Sequence, residues 1–81
     1  MASRCLDGRE IEILKLAARG YYIGDIADEM GYSYHTIKNI RHGLLQKIYA
    51  RNITHAVALA IKKGIIDMDK FDLPDSFGFA D

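Results

Sequence analysis

Apolar residues recur at three- and four-residue intervals in four separate runs between residues 6 and 66, and turn-forming residues divide these runs. This interval places apolar side chains on one face of an α-helix, whereas a half-buried strand would need strict alternation. The chain contains neither an alternating run nor an internal repeat. The sequence therefore predicts an all-α fold of four helices joined by short turns.

The first two runs carry clear end signals. Asp7, with Glu10 three residues later, is typical of a capping box and predicts the start of the first helix, which Gly20 ends. The second helix is predicted from about Ile23 to Met30. Gly31 then follows as a left-handed turn residue.

The third and fourth helices are longer and carry more positive charge. Ser33 is a good N-cap for a helix running to roughly Tyr49, whose predicted buried face is Ile37, Leu44, Leu45 and Ile48. The fourth helix is predicted from about Thr54 to Lys63, with Gly64 ending it. Its predicted inward residues are Val57, Ala60 and Ile61.

With 81 residues, about half of them apolar, the chain is long enough for one small core and too short for a second domain. Its single cysteine, Cys5, cannot form an internal disulfide, and the first residues lack the apolar run of a secretory signal. No apolar stretch approaches the roughly 18 residues of a membrane-spanning helix. We therefore expect a cytoplasmic protein. Met1 and the distinctive C-terminal residues favour a complete small protein over the alternative, a fragment of a larger regulator.

The stretch between Glu29 and Asp67 contains no acidic residue, although the formal net charge of the whole chain is zero. Its fixed charges are Lys38, Arg41, Lys47, Arg51, Lys62 and Lys63, accompanied by His35, His42 and His55. A solvated surface is the commonest use of such a run. A positive electrostatic field also suits the negatively charged phosphate backbone of a nucleic acid. We therefore take a nucleic acid as the first candidate partner.

The compensating negative charge lies at the C-terminal end. Residues 1–66 contain ten Lys or Arg and six Asp or Glu, whereas residues 67–81 contain one lysine and five aspartates. All three phenylalanines and the only proline also fall in the second segment. We predict a helical domain over residues 1–66 and a short acidic aromatic tail over residues 67–81.

Several interpretations of the tail stay open. The first is a disordered end, and the second is a segment that docks its aromatic side chains on the domain. The third is a surface offered to another protein such as RNA polymerase. A fourth interpretation is that its aspartates compete with DNA for the basic residues.

Residues 23–49 have the layout of a helix-turn-helix, with a short helix, a turn containing glycine and a longer helix that begins Ser-x-x-Thr. In this motif the second helix presents a polar stripe to base edges in the major groove of DNA. The residues predicted to contact bases are His35, Lys38, Asn39 and His42. The residues better placed for phosphates are Tyr34, Thr36, Arg41, Lys47 and Arg51.

A larger set of residues falls at the spacing of a known family without any gap. The set is Arg9-Glu10, Ile13-Leu14, Leu16, Ala18, Gly20, Ile26-Ala27, Gly31, Ser33, Thr36-Ile37-Lys38-Asn39, Lys47-Ile48, Ala56-Val57 and Gly64-Ile65-Ile66. Over residues 6–66 the chain resembles the LuxR/GerE-type DNA-binding domain, including its stand-alone small regulators. The resemblance implies a tetrahelical helix-turn-helix that binds double-stranded DNA, regulates transcription and usually pairs through its last helix.

Apolar side chains extend almost all the way round the fourth helix, further than one inner face requires. A leftover patch of small residues suits close helix pairing, so we expect a homodimer. The predicted interface residues are Ala56, Leu59, Ala60 and Lys63. Two recognition helices would then meet half-sites about one DNA turn apart in a roughly palindromic operator.

Other functions receive less support from the residues. The histidines share no metal-ligand spacing with a cysteine or carboxylate, and the chain lacks a nucleophile–base pair or phosphate loop, so we expect no metal, other cofactor or catalysis. The alternative function is a protein-interaction module that binds RNA polymerase, a sigma factor or another regulator through the tail and a helix surface. Ile40 and Ile53 favour it, because the resembled family commonly has histidine and arginine there, although Ile40 also fits the core.

Overall fold

A computed structural model describes residues 6–67 of the chain. It contains four α-helices, namely α1 (Gly8–Ala18), α2 (Ile23–Met30), α3 (Tyr34–Ile48) and α4 (Ile53–Lys62). No strand occurs within these described residues. The predicted all-α architecture is confirmed, and α2 has the predicted limits at both ends.

The start of α1 is fixed by the predicted capping box. The Asp7 carboxylate accepts the backbone N–H of Glu10, and the Glu10 carboxylate accepts the N–H of Asp7, each at 2.9 Å. Donation from the Glu10 N–H lowers the pKa of Asp7 below its usual value, with a smaller contribution from the Arg9 charge. The resulting stabilisation is present above the unfolded-state pKa of aspartate and is lost as pH falls through the lowered folded-state pKa.

The limits of α4 differ slightly from the prediction. Asn52 caps this helix, because its Oδ1 accepts the backbone N–H of His55 at 2.8 Å, and Ile53 rather than Thr54 is therefore the first helical residue. Lys63 is the C-cap, and Gly64 follows with a φ of +77°. This left-handed conformation suits glycine and ends the helix.

The core forms where α1 packs against α4 and α3, and α2 closes it by packing mainly against α3. Its buried residues are Ile13, Leu14, Leu16, Ile26, Ala27, Ile37, Leu44, Ile48, Ala56, Ala60 and Ile66. Leu45, Val57 and Ile61, which were expected inside, are only half-buried. On α4 the small side chains of Ala56 and Ala60 are therefore the buried ones, whereas the larger Val57, Leu59 and Ile61 are half-buried.

Most of the predicted tail lies outside the described residues, as does Cys5, so the boundary at residue 66 stays a prediction. Among residues 6–67, no helix is both long enough and apolar enough to cross a membrane.

The N-cap of α3 provides a first test of this fold. Ser33 Oγ accepts the backbone N–H of Thr36 at 3.1 Å. Replacing Ser33 with alanine should lower the free energy of unfolding by about 1 kcal/mol, because a helix-end donor loses its acceptor. Urea denaturation measures the loss, and Ser33→Thr, which keeps an acceptor oxygen, should lose less. Equal losses in the two variants would contradict this role.

Candidate nucleic-acid interface

Three residues, Gly31 to Ser33, join α2 to α3. Gly31 has a φ of +76°, which residues with a Cβ rarely adopt, and it lets the chain reverse within this short turn. The N–H of Tyr32 donates to the Ala27 carbonyl at 3.0 Å. Ile26 of α2 and Ile37 of α3 belong to the same buried cluster. These contacts hold α3 in a fixed position against α2, as a helix-turn-helix requires.

One face of α3 is polar and exposed, whereas the opposite face is buried. Ile37 and Leu44 are 0% exposed. The residues predicted to contact bases are all exposed: His35, Lys38, Asn39 and His42. Because residues three, four and seven apart share one side of a helix, these four form a continuous stripe. We call these residues the recognition stripe.

Two side-chain contacts involve the recognition stripe and were not predicted. The Lys38 Nζ lies 5.9 Å from the centroid of the Tyr34 ring, within the range of a cation–π interaction. His42 Nε2 lies 3.3 Å from Gln46 Nε2, one turn further along α3. Both pairs are four residues apart, a spacing at which helix neighbours meet. These contacts limit the positions that Lys38 and His42 adopt on the exposed face.

The residues predicted to contact phosphates have different surroundings. Tyr34 and Arg51 are exposed, whereas Thr36 and Arg41 are half-buried. The Thr36 hydroxyl lies 2.9 Å from Ser33 Oγ, so part of its hydrogen-bonding capacity is used within the cap. These four residues still place polar groups at the start of α3, along it and in the loop that follows it.

Lys47 has a partner that sequence reasoning missed. Its Nζ donates to Glu10 Oε1 at 2.9 Å, and the same oxygen accepts the Asp7 N–H. Glu10 is 5% exposed, so its carboxylate depends on these donors for the hydrogen bonds that water would otherwise supply. Lys47 therefore ties α3 to the start of α1, and much of its charge is compensated inside the domain.

This ion pair gives a second prediction. Lys47→Ala should lower the free energy of unfolding by about 1–3 kcal/mol, because the buried Glu10 carboxylate loses its cation. Chemical denaturation of the single and double variants would show it, and Lys47→Ala should cost clearly less in a Glu10→Gln background. Arg51→Ala, which removes an exposed cation, is the control and should change stability by less than about 0.5 kcal/mol. Equal losses in both backgrounds would rule out the pair as the cause.

The exposed face of α2 has the opposite charge to α3. Asp25, Asp28 and Glu29 are exposed, and α2 contains no lysine or arginine. Tyr22, at the N-cap of α2, is 82% exposed, and its N–H donates to Asp25 Oδ2 at 3.2 Å. Within the helix-turn-helix, cationic contacts to an anionic ligand would therefore come from α3 rather than from α2.

The predicted dimer surface on α4 needs a correction. Ala56 and Ala60 are 0% exposed, because both lie in the core, and their side chains are inaccessible to a partner. Leu59 is half-buried and Lys63 is exposed, so these two stay available. Alanines lie on more than one side of α4, and the sequence alone did not distinguish the buried Ala56 and Ala60 from Ala58, which is exposed.

Two other sequence hypotheses can be compared with the structure. Ile40 and Ile53 are half-buried and pack against the core, so each leaves only part of its apolar side chain exposed to a partner. No group of three or more His, Cys, Asp or Glu side chains is placed to hold a metal ion in the described part of the chain.

An exposed polar stripe on a helix that a tight turn fixes against the preceding helix defines a helix-turn-helix domain. The model of the family described as "Bacterial regulatory proteins, luxR family" matches residues 5–60. The chain belongs to this family, as the LuxR/GerE resemblance implied.

Relatives of the chain include three bacterial regulators. The uncharacterized transcriptional regulatory protein YxjL of Bacillus subtilis is 41% identical over 58 residues, which are 72% of this chain and 27% of YxjL. YvfU, another such protein of B. subtilis, is 43% identical over 58 residues, or 72% of this chain and 29% of YvfU. The oxygen regulatory protein NreC of Staphylococcus carnosus is 34% identical over 64 residues, or 79% of this chain and 30% of NreC. The chain therefore corresponds to less than a third of the length of these relatives.

Proposed function

We propose that this chain binds double-stranded DNA sequence-specifically and regulates transcription. The recognition stripe on α3 is the observation that carries the proposal, because it places hydrogen-bonding side chains on the second helix of a helix-turn-helix. Lys38 can donate to guanine O6 and N7, and Asn39 can bond adenine bidentately. The relatives' names as transcriptional regulatory proteins support the same function.

Phosphate contacts supply the affinity in this proposal. Arg41 and Arg51 are the main cations near the recognition stripe, and Tyr34 and Thr36 add hydroxyls at the start of α3, where the helix dipole favours anions. Lys47 has a smaller role, because it already pairs with Glu10. Contacts of this kind fix the register of the protein on DNA without reading bases.

We further propose that two copies pair through the outer side of α4, around Leu59 and Lys63. Paired copies would present two recognition stripes to half-sites about one helical turn apart, so the preferred site would be roughly palindromic. The proposal places the protein in the cytoplasm with DNA and a second copy as partners, and it includes no catalytic step.

Selection from a random pool of DNA duplexes, carried out with the whole chain at two salt concentrations, tests this function. We expect enrichment of a palindromic sequence and a fall in affinity of about 10³-fold between 50 and 200 mM salt, as for roughly six phosphate contacts in a dimer. Enrichment of one unrepeated half-site would support sequence-specific DNA binding and would reject the dimer. Failure to enrich any sequence at either salt would reject the proposal in favour of the protein-interaction module.

A further inference from the structure

A pocket of about 270 Å³ lies between the start of α1, the end of α3 and the end of α4. Its lining residues are Leu6, Lys47, Ile48, Tyr49, Lys63 and Ile65. The lining is thus mainly apolar, with two lysines. A cavity of roughly 150 Å³ can hold a benzene ring in another protein, so this pocket has room for an aromatic side chain.

The charge of the pocket comes mainly from Lys63. Lys47 is already paired with Glu10 at 2.9 Å, whereas Lys63 is exposed and forms no salt bridge with any residue from 6 to 67. Lys63 is also the C-cap of α4, where a cation is favoured by the helix dipole. An occupant that combines an aromatic ring with a nearby carboxylate would match both the apolar lining and this lysine.

The chain itself supplies such a segment beside the pocket. Ile65 lines the pocket, and the described residues end only two positions later, at Asp67. Residues 68–81 contain four aspartates and one lysine, a balance of minus three, and they include Phe71, Phe77 and Phe79. These fourteen residues span up to about 45 Å when extended, so their reach does not limit a return to the pocket.

We propose that residues 68–81 fold back on their own domain, seating a phenylalanine in this pocket and placing aspartates beside Lys63. Docking removes aromatic surface from water, and the effective concentration is high because the tail is tethered at the edge of the pocket. The occupied surface adjoins Leu59 on α4, so a docked tail competes with a second copy for Lys63. The inference does not depend on DNA binding or on dimerisation.

Paramagnetic broadening in the whole chain tests the docking. Ser76→Cys in a Cys5→Ser background allows a nitroxide label at one tail position, and amide spectra are compared before and after reduction of the label. We expect Leu6, Ile48 and Ile65 to lose most of their signal intensity while the label is paramagnetic. His35 should keep clearly more of its intensity than Ile48, because it lies about 20 Å from Ile48 along the axis of α3.

Two adjacent lysines provide the matched controls. Lys63→Gln should restore the broadened signals at least twofold, whereas Lys62→Gln, which changes an exposed lysine that does not line the pocket, should leave them broadened. Equal recovery of signal intensity in the two variants would show that general charge attraction, rather than the pocket, holds the tail near the domain. The absence of broadening at all three sites would show a tail that does not dock.

A mixed sample identifies the source of any broadening. It contains isotope-labelled chains without the nitroxide and unlabelled chains with it. Docking within one chain predicts full intensity in the labelled chains at high dilution. Broadening of Leu6, Ile48 and Ile65 in this mixture would assign the pocket to the tail of a second copy and overturn the proposal.

Discussion

Replacing Lys38 and Asn39 with alanine together is expected to lower the affinity for the selected operator by 100-fold or more. Each side chain can make a bidentate or paired contact to a base edge, and such contacts are worth about 1–3 kcal/mol of discrimination. Both side chains are exposed on α3, so their removal leaves the core intact. Competition binding against operator and unrelated DNA should show a greater loss for the operator, because the phosphate contacts persist.

The matching control removes a lysine from a different surface. Lys15 is exposed on α1, and Lys15→Ala removes the same charge as Lys38→Ala without altering the recognition stripe. Lys15→Ala should lower the affinity for operator and for unrelated DNA by the same small factor. This factor should become smaller as the salt concentration rises. A loss as large as that of the double variant would mean that net charge, rather than base contact, determines binding. Urea denaturation of both proteins should give unchanged stability.

Tyr34 offers a finer test of the same surface. Its ring lies 5.9 Å from Lys38 Nζ, and its hydroxyl is a candidate phosphate contact. Tyr34→Phe keeps the ring and removes the hydroxyl, whereas Tyr34→Leu removes both. If the cation–π contact positions Lys38, only the leucine variant should reduce the preference for the operator over unrelated DNA. Both variants should weaken total binding by about tenfold or less if the hydroxyl contacts a phosphate.

The helices that sequence predicted most closely are those whose ends have local chemical causes. Both limits of α2 agree with the prediction, and Gly31 adopts the left-handed conformation expected from its place after Met30. Asp7 and Ser33 cap α1 and α3 as predicted. Each of these signals lies within a few residues of the feature that it determines, so a single sequence is sufficient to predict it.

The contacts that sequence did not predict depend on tertiary packing. Glu10 and Lys47 are 37 residues apart, and no periodic pattern relates them. Ala56 and Ala60 look like surface candidates on a helix that is apolar almost all round, but both are 0% exposed in the core. Tyr49, at the end of α3, has a φ of +59° where glycine or asparagine is usual. Local propensity gave no reason to expect it there.

Ile37→Ala is expected to lower stability and to leave operator selectivity unchanged, which is the opposite of the effect of replacing Lys38 and Asn39. Ile37 precedes Lys38 in sequence, but its side chain is 0% exposed and lies in the core that joins α2 to α3. Truncation should lower the free energy of unfolding by about 2–5 kcal/mol, through lost apolar contact and the cavity that remains. Small domains have a free energy of unfolding of only about 5–15 kcal/mol, so this single change removes a large part of their stability.

Chemical denaturation should show a lower midpoint for Ile37→Ala with an unchanged denaturant slope, since the surface exposed on unfolding is nearly the same. Ile40→Ala is the control on the same helix, and it should cost clearly less because Ile40 is only half-buried. At temperatures where Ile37→Ala is still folded, operator selectivity should persist, because the recognition stripe is unaltered. Loss of selectivity in a fully folded Ile37→Ala protein would show that the stripe depends on this side chain for its orientation. A stability loss no larger than that of Ile40→Ala would contradict the packing of α3 described above.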